Sequence, residues 1–324
     1  MSATATARET KRKQSFWRRL GTGDEVAHLV TFIFAASVFL VTVLLIAELS
    51  RNSGPSIGKF GWRFLVGTNW DPVAEDFGAL PFIYGTLLTS VLALLVSVPL
   101  GVGAAVFLAE LAPPALANAC AFLVELLAAV PSVIYGLLAI FTLVPLLRHY
   151  GEPFLKSTLG FLPFFQGPSL GIGFLAAGLI LAVMTFPYII AISRESLLEV
   201  PLDQREAALA LGATRWESTS QVVVPYARLG IIGSIFLGLA RALGETMAVT
   251  MVIGNNPSIH ASLFAPGYTI ASVIANEFTE ATGKVYLSSL VELGVVLFLI
   301  TIIVNALARL LVIATSRKGT AHGA

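Results

Sequence analysis

The sequence predicts an all-α membrane protein that crosses the bilayer six times. Three observations predict it. Apolar residues make up 56% of the 324 positions and charged residues only 12%. Six apolar runs, at 27–47, 80–109, 117–147, 171–193, 230–254 and 287–313, are long enough to cross hydrocarbon as helices, which takes about 20 residues. None of these runs alternates polar with apolar residues, so barrel strands are excluded.

In chain order, a basic lead, KRKQSFWRRL, precedes the first run. That run exceeds the roughly 7–15 apolar residues of a signal core, so it reads as a retained anchor. Residues 1–22 are expected to be a disordered cytoplasmic tail that fixes topology and touches anionic lipid. Residues 23–79 read as the first transmembrane helix and an outer segment with Trp62, Trp70 and Phe77, tryptophan being favoured at the membrane interface. The second and third runs are long enough to tilt, kink or protrude. Residues 80–310 form the expected core, with a polar loop at 194–229 and further outer loops at 148–170 and 255–285. Thr269 to Phe278 is expected to be a short helix, and 311–324 a second cytoplasmic tail. Six crossings leave little material for a soluble domain, so function lies between helices or on loops.

Lys and Arg set the orientation. With six crossings, thirteen fall on the side of the N-terminal tail, the loop at 194–229 and the C-terminal end. Six fall opposite, and Arg241 lies inside a run. The positive-inside rule therefore places both termini and that loop in the cytoplasm.

Several chemistries are excluded. The lone cysteine, Cys120, has no partner for an internal disulfide. His28, His149, His260 and His322 show no metal-ligand spacing. No charge pattern suggests nucleic acid, and no phosphate-cradling G-x-x-x-x-G-K-[ST] is present. No cofactor is expected. A membrane-embedded enzyme would need a nucleophile, base or metal cluster in one helical layer, and none is visible.

The fifth run, GSIFLGLARALGETMAVTMVIGN, contains Arg241 and Glu245. Four residues apart, they are expected to share one helix face. Each costs about 2.5–3.5 kcal/mol near the middle of a lone spanning helix. Such groups face a bundle interior or a wet cavity, and Gly238 and Gly244 permit a close neighbour or an aqueous gap. Two readings stay open: an ion pair that pins helices, or the charged lining of a solute route. Arginine offers planar donors to an oxyanion. Glu245 would tolerate a protonated phosphate, which can donate to a carboxylate, whereas fully ionised sulfate cannot. Glu125, ahead of Pro131, could join Arg241 across helices or merely add polarity near a kink. Glu292 is expected to reach water near the end of its run, and Glu110 to be interfacial.

The loop at 194–229 contains EAALALGATRWESTSQVVVP, from Glu206 to Pro225. Glu206, Ala207 and Ala208 open a strong helix former, and Gly212 can end it in a left-handed conformation. A second short helix is expected from Arg215 to Val222, stopped by Pro225. The product is a helix–turn–helix knob whose small Ala face fits a groove in a partner.

This stretch resembles the EAA loop of ABC importer permeases, with Val222 and Val224 where Ile and Leu are commoner. FGALPFIYGTLLTS (Phe77–Ser90), LVELLAAVPSVIYGL (Leu123–Leu137) and ARALGETMAVTMVIGN (Ala240–Asn255) are similar to the PstC-type subunit of phosphate-specific ABC permeases. The resemblance covers nearly everything after residue 60. It implies a type I importer fold in the cell's inner membrane and no ATP site on this chain. Its implied partners are a second homologous permease subunit, two cytoplasmic ATP-binding subunits and an extracytoplasmic phosphate-binding protein. The resemblance gives Arg241 and Glu245 the lining of the substrate path, and Glu125, read as a partner for Arg241, is expected beside them. Glu206, Ala207, Ala208, Gly212 and Pro225 would couple the chain to the ATPase. A permease for molybdate or sulfate, and a channel or carrier without an ATPase, remain rival readings.

Overall fold

The computed structural model describes residues 24–320. The basic tail expected at 1–22 lies outside them. Residues up to Asn52 form one compact unit and residues from Ser53 a second. Of the first unit the described part is α1, Asp24–Asn52.

The second unit opens with α2 (Gly54–Phe60) and α3 (Arg63–Val66), then a two-stranded antiparallel hairpin, β1 (Trp70–Asp71) and β2 (Asp76–Phe77). The Asp71 carboxylate accepts from the Val73 and Ala74 N–H groups and closes the hairpin turn. Then come α4 (Leu80–Leu111) and a shorter apolar helix, α5 (Pro114–Ala128). Next are α6 (Ser132–Leu159) and α7 (Phe174–Leu198). A short helix, α8 (Leu202–Ala210), leads into α9 (Arg215–Gly244). The chain finishes with α10 (Met247–Val252), α11 (Ile270–Glu277) and α12 (Lys284–Thr320). Six helices among the described residues are long and apolar enough to span a membrane: α1, α4, α6, α7, α9 and α12.

The third crossing differs from the sequence reading. Residues 117–147 are not one span. Pro131 lacks an N–H and disfavours helix in the residue before it, so α5 stops at Ala128 and α6 starts at Ser132. The helix then runs through much of the loop expected at 148–170, carrying Arg148 and Lys156 with it. Pro225 also fails to stop its helix. In α6 and α9, Pro145, Pro153 and Pro225 each follow a π-helical turn by two residues, the turns being Ala139–Leu143, Leu147–Gly151 and Thr219–Val223. The wider turn makes room for the proline ring and the unpaired carbonyl below it, so the helix continues. At the C-terminal end, the tail expected from residue 311 is helical as far as Thr320.

In the second unit α7 is the central helix: 61% of its most apolar stretch is buried, more than in any other crossing among the described residues. Small residues let neighbours approach it. A Cβ on Gly230 of α9 would strike Ser196, one on Gly238 would press on Ile189, and one on Gly101 of α4 would also meet Ile189. Ser193 and Ser234 hydrogen-bond across α7 and α9 at 2.7 Å.

A second core lies where the hairpin meets α4, α11 and α12. Trp70 packs edge-on to Phe77 and Phe82, and Phe77 stacks on Tyr286 with centroids 5.2 Å apart. Glu277 accepts from Trp70 Nε1 at 2.8 Å and from the Tyr286 hydroxyl at 2.7 Å. Glu292, expected near water, is buried, and Ser56 of α2 bonds Ser289 one turn earlier in α12.

Candidate functional site

Two breaks in the apolar helices meet. The first is the Ala129–Pro131 interruption between α5 and α6. The second falls inside the fifth apolar run: α9 ends at Gly244, Glu245 is extended at φ −70°, ψ 129°, and α10 starts at Met247. The short α10 packs on the first turns of α6, so closely that a Cβ on Gly136 would meet Met251 and Ala248. Non-helical backbone inside an apolar layer persists only where protein or a wet cavity surrounds it. Converging helix breaks are a recurrent way to build a solute site in transporters.

Arg241 stands in the last turn of α9 beside these breaks. Its guanidinium carbon lies 4.4 Å from the centroid of the Tyr188 ring of α7. Nε is buried without a hydrogen-bond partner, and no described residue accepts a hydrogen bond from the other guanidinium nitrogens. The expected partnership with Glu245 is not formed. The helix ends between the two residues, which removes their shared face, and Glu245 turns to α10, accepting from the Ala248 N–H at 3.4 Å. Glu125 does not pair with Arg241 either; it sits exposed on α5. The ion pairs among the described residues are Lys59–Glu75 and Arg205–Glu110. Arg241 is thus a charge stabilised by an aromatic face, with its hydrogen-bonding edge uncommitted.

The aromatic frame is fixed by hydrogen bonds that sequence reasoning missed. The Tyr188 hydroxyl donates to the Ala128 carbonyl at 2.8 Å, and the Tyr135 hydroxyl to the Leu127 carbonyl at 2.7 Å. Both carbonyls belong to the last turn of α5; Leu127 also accepts from the Val130 N–H at 3.2 Å, whereas Ala128, with Pro131 three residues on, has no backbone donor among the described residues. The available signal was a tyrosine within a turn of a membrane proline, as in Pro187–Tyr188 and Pro131–Tyr135.

The second cluster is the α8 knob. Gly212 takes φ +89°, the Ala213 N–H reaches the Ala208 carbonyl and the Gly212 N–H reaches the Leu209 carbonyl, the Schellman pattern. Thr214 and Glu217 then form a reciprocal capping box that starts α9. Glu206 and Ala207 are exposed and Ala208 is half-buried, while Leu202, Leu209, Leu211 and Trp216 also expose apolar surface. Pro225 lies beyond the knob, inside α9. Arg205 fastens the knob. It donates to Glu110 Oε1 at 2.8 Å, to the Leu197 carbonyl at 2.7 Å and to the Val200 carbonyl at 2.8 Å. It therefore joins α8 to the ends of both α4 and α7, and Glu110 is an anchor rather than an interfacial bystander.

The sequence pattern of the family described as binding-protein-dependent transport system inner membrane component matches residues 97–317. The chain belongs to this family. Among curated relatives of this transport component, the phosphate transport system permease protein PstC of Mesorhizobium japonicum is 47% identical over 299 residues, covering 90% of each chain. The protein of that name from Haemophilus influenzae is 46% identical over 286 residues, covering 87% of this chain and 90% of its own. In three dimensions the inner-membrane component is similar to a chain of a bacterial ABC transporter involved in alginate import, with TM-score 0.56 at 16% identity, over 90% of this chain and 98% of that one. A second structure of a bacterial alginate ABC transporter, in complex with an alginate pentasaccharide-bound periplasmic protein, gives 0.57 at 14% identity. The fold is that of type I ABC importer permeases.

Proposed function

We propose that this chain is one permease half of an ATP-driven importer of inorganic phosphate. It would enclose the route with a second homologous permease, above two cytoplasmic ATP-binding subunits and below an extracytoplasmic phosphate-binding protein. The observation that carries the proposal is Arg241, a guanidinium at the meeting of two helix breaks whose donor edge no described side chain occupies. Such an edge suits a tetrahedral oxyanion. Glu245, freed from Arg241 and placed on the extended link, is an acceptor for a protonated phosphate oxygen. The relatives' names support phosphate over other oxyanions.

The chain itself carries no nucleotide site in this reading, and the ATP-binding subunits do the hydrolysis. Lys and Arg distribution supports cytoplasmic termini and a cytoplasmic α8. The exposed apolar surface of α8 supports docking into a groove of the ATPase. Closing of the ATP-binding pair would move α8, and Arg205 would pass that movement to α4 and α7.

The test is uptake of labelled phosphate by proteoliposomes containing the purified assembly, the binding protein and internal ATP. Arg241→Gln is expected to bring uptake close to background, and Glu245→Gln to lower it several-fold, with both proteins present at normal levels. Wild-type uptake in both variants overturns the route. Preferential uptake of sulfate or molybdate overturns the substrate, and uptake by this chain alone in bare liposomes overturns the ATP-driven mechanism.

A further inference from the structure

A cation inside an apolar crossing usually meets a carboxylate. Arg241 instead meets a ring, and the difference has chemical consequences. A carboxylate would take two of the five guanidinium donors and cancel the charge. An aromatic face attracts the cation through its quadrupole and leaves every edge donor available. The ring is not free to wander. Tyr188 follows Pro187 in α7, and its hydroxyl is tied to the Ala128 carbonyl at 2.8 Å. No residue of α6 can supply the missing N–H at that position, because Pro131 interrupts the helix. Tyr135, buried on α6, is tied to the neighbouring Leu127 carbonyl. One helix terminus thus orients two tyrosines, and one of these orients the cation.

We propose that Tyr188 is the positioning residue for Arg241: its ring holds the guanidinium with the donor edge turned to the passing oxyanion. This rests on the reading of Arg241 as part of the phosphate route. Tyr188 itself forms no bond to the anion. Its contribution is to hold the arginine in one orientation with its donors uncommitted, where a carboxylate partner would have consumed them. The competing role for such a tyrosine is to satisfy the Ala128 carbonyl and nothing more.

The two roles separate by substitution, measured as phosphate transported per ATP hydrolysed in the reconstituted complex at saturating loaded binding protein. Tyr188→Met keeps bulk and loses the ring, and the ratio is expected to fall about tenfold. Tyr188→Phe keeps the ring but loses the tether to Ala128, and the ratio is expected to fall about two- to threefold, well short of the loss in the Met variant. Fluorinated phenylalanines at position 188 provide a series of near-constant size with a progressively weaker ring face, and the ratio should fall with each added fluorine. This series decides the matter even when the Met variant fails to assemble. A flat fluorine series, or equal losses in the Phe and Met variants, overturns the positioning role. Normal transport by Tyr188→Met alongside blocked transport by Arg241→Gln overturns it while leaving the route intact. Normal transport by Arg241→Gln shows instead that the route reading has failed.

Discussion

Arg241 shows how one residue's surroundings decide its chemistry. Lysine would keep the charge at this position, but its ammonium has no planar fork and no flat face to stack on a ring. Arg241→Lys is therefore expected to behave far more like a loss than a conservative change, with phosphate uptake falling about tenfold in the assembled transporter. Uptake within twofold of wild type would mean that position 241 supplies only positive charge. Placing Arg241 and Glu245 at the centre of attention was legible in the sequence, because charges in an apolar run are costly wherever they point. Their mutual contact was not. It was inferred from four-residue spacing on a continuous helix, and Gly244 and the extended Glu245 interrupt that helix. The tyrosines were missed for a related reason: a hydroxyl that caps a helix end 60 residues away leaves no periodic trace.

At the scale of elements, α8 is short and exposed, so its rigidity comes from its attachments. The chain leaves it through Gly212 at φ +89°, a conformation that costs a side-chain-bearing residue about 1–2 kcal/mol. Gly212→Val should therefore loosen the turn and raise ATP consumption per phosphate moved without reducing membrane insertion. Arg205 supplies the other attachment. Its side chain and that of Glu110 are 17% and 10% exposed, so the pair is well shielded and its loss strands a carboxylate and the Val200 carbonyl, Leu197 keeping the Val200 N–H. Arg205→Gln should release α8 by about 2 kcal/mol locally, a figure between those for surface and buried pairs. Hydrogen–deuterium exchange across residues 202–212 should then rise markedly, with α7 protected as before. Unchanged exchange would show that packing alone holds α8. The EAA-like stretch made the knob legible. Its anchor was not, because Glu110 and Arg205 lie 95 residues apart and nothing local couples them.

Over the whole molecule, hydropathy located six crossings because each is continuous in apolar character, yet it misplaced the third. α5 and the first turns of α6 are both apolar, so the proline between them disappears in an averaged run, while the helix long and apolar enough to cross runs from Ser132 to Leu159 and contains Arg148, the buried Glu152 and Lys156. Glu152 is satisfied there by the Gly171 N–H, a bond that composition cannot anticipate. The proposed orientation is a property of the whole chain, and it can be tested at two exposed positions of the second unit. Trp62, between α2 and α3, is 84% exposed, and Leu211, at the tip of the α8 knob, is 90% exposed. Odd numbers of crossings separate these loops, so they must lie on opposite sides of the bilayer. Cys120 is the only cysteine, and a Cys120→Ser background leaves a clean reporter. A membrane-impermeant maleimide should label Trp62→Cys in right-side-out vesicles and Leu211→Cys only in inverted ones. Adding the ATP-binding subunits should slow labelling at Leu211→Cys several-fold, because the knob would be covered by the groove that moves it. Labelling of Leu211→Cys from the outside would reverse the topology and leave no cytoplasmic ATPase within reach of α8.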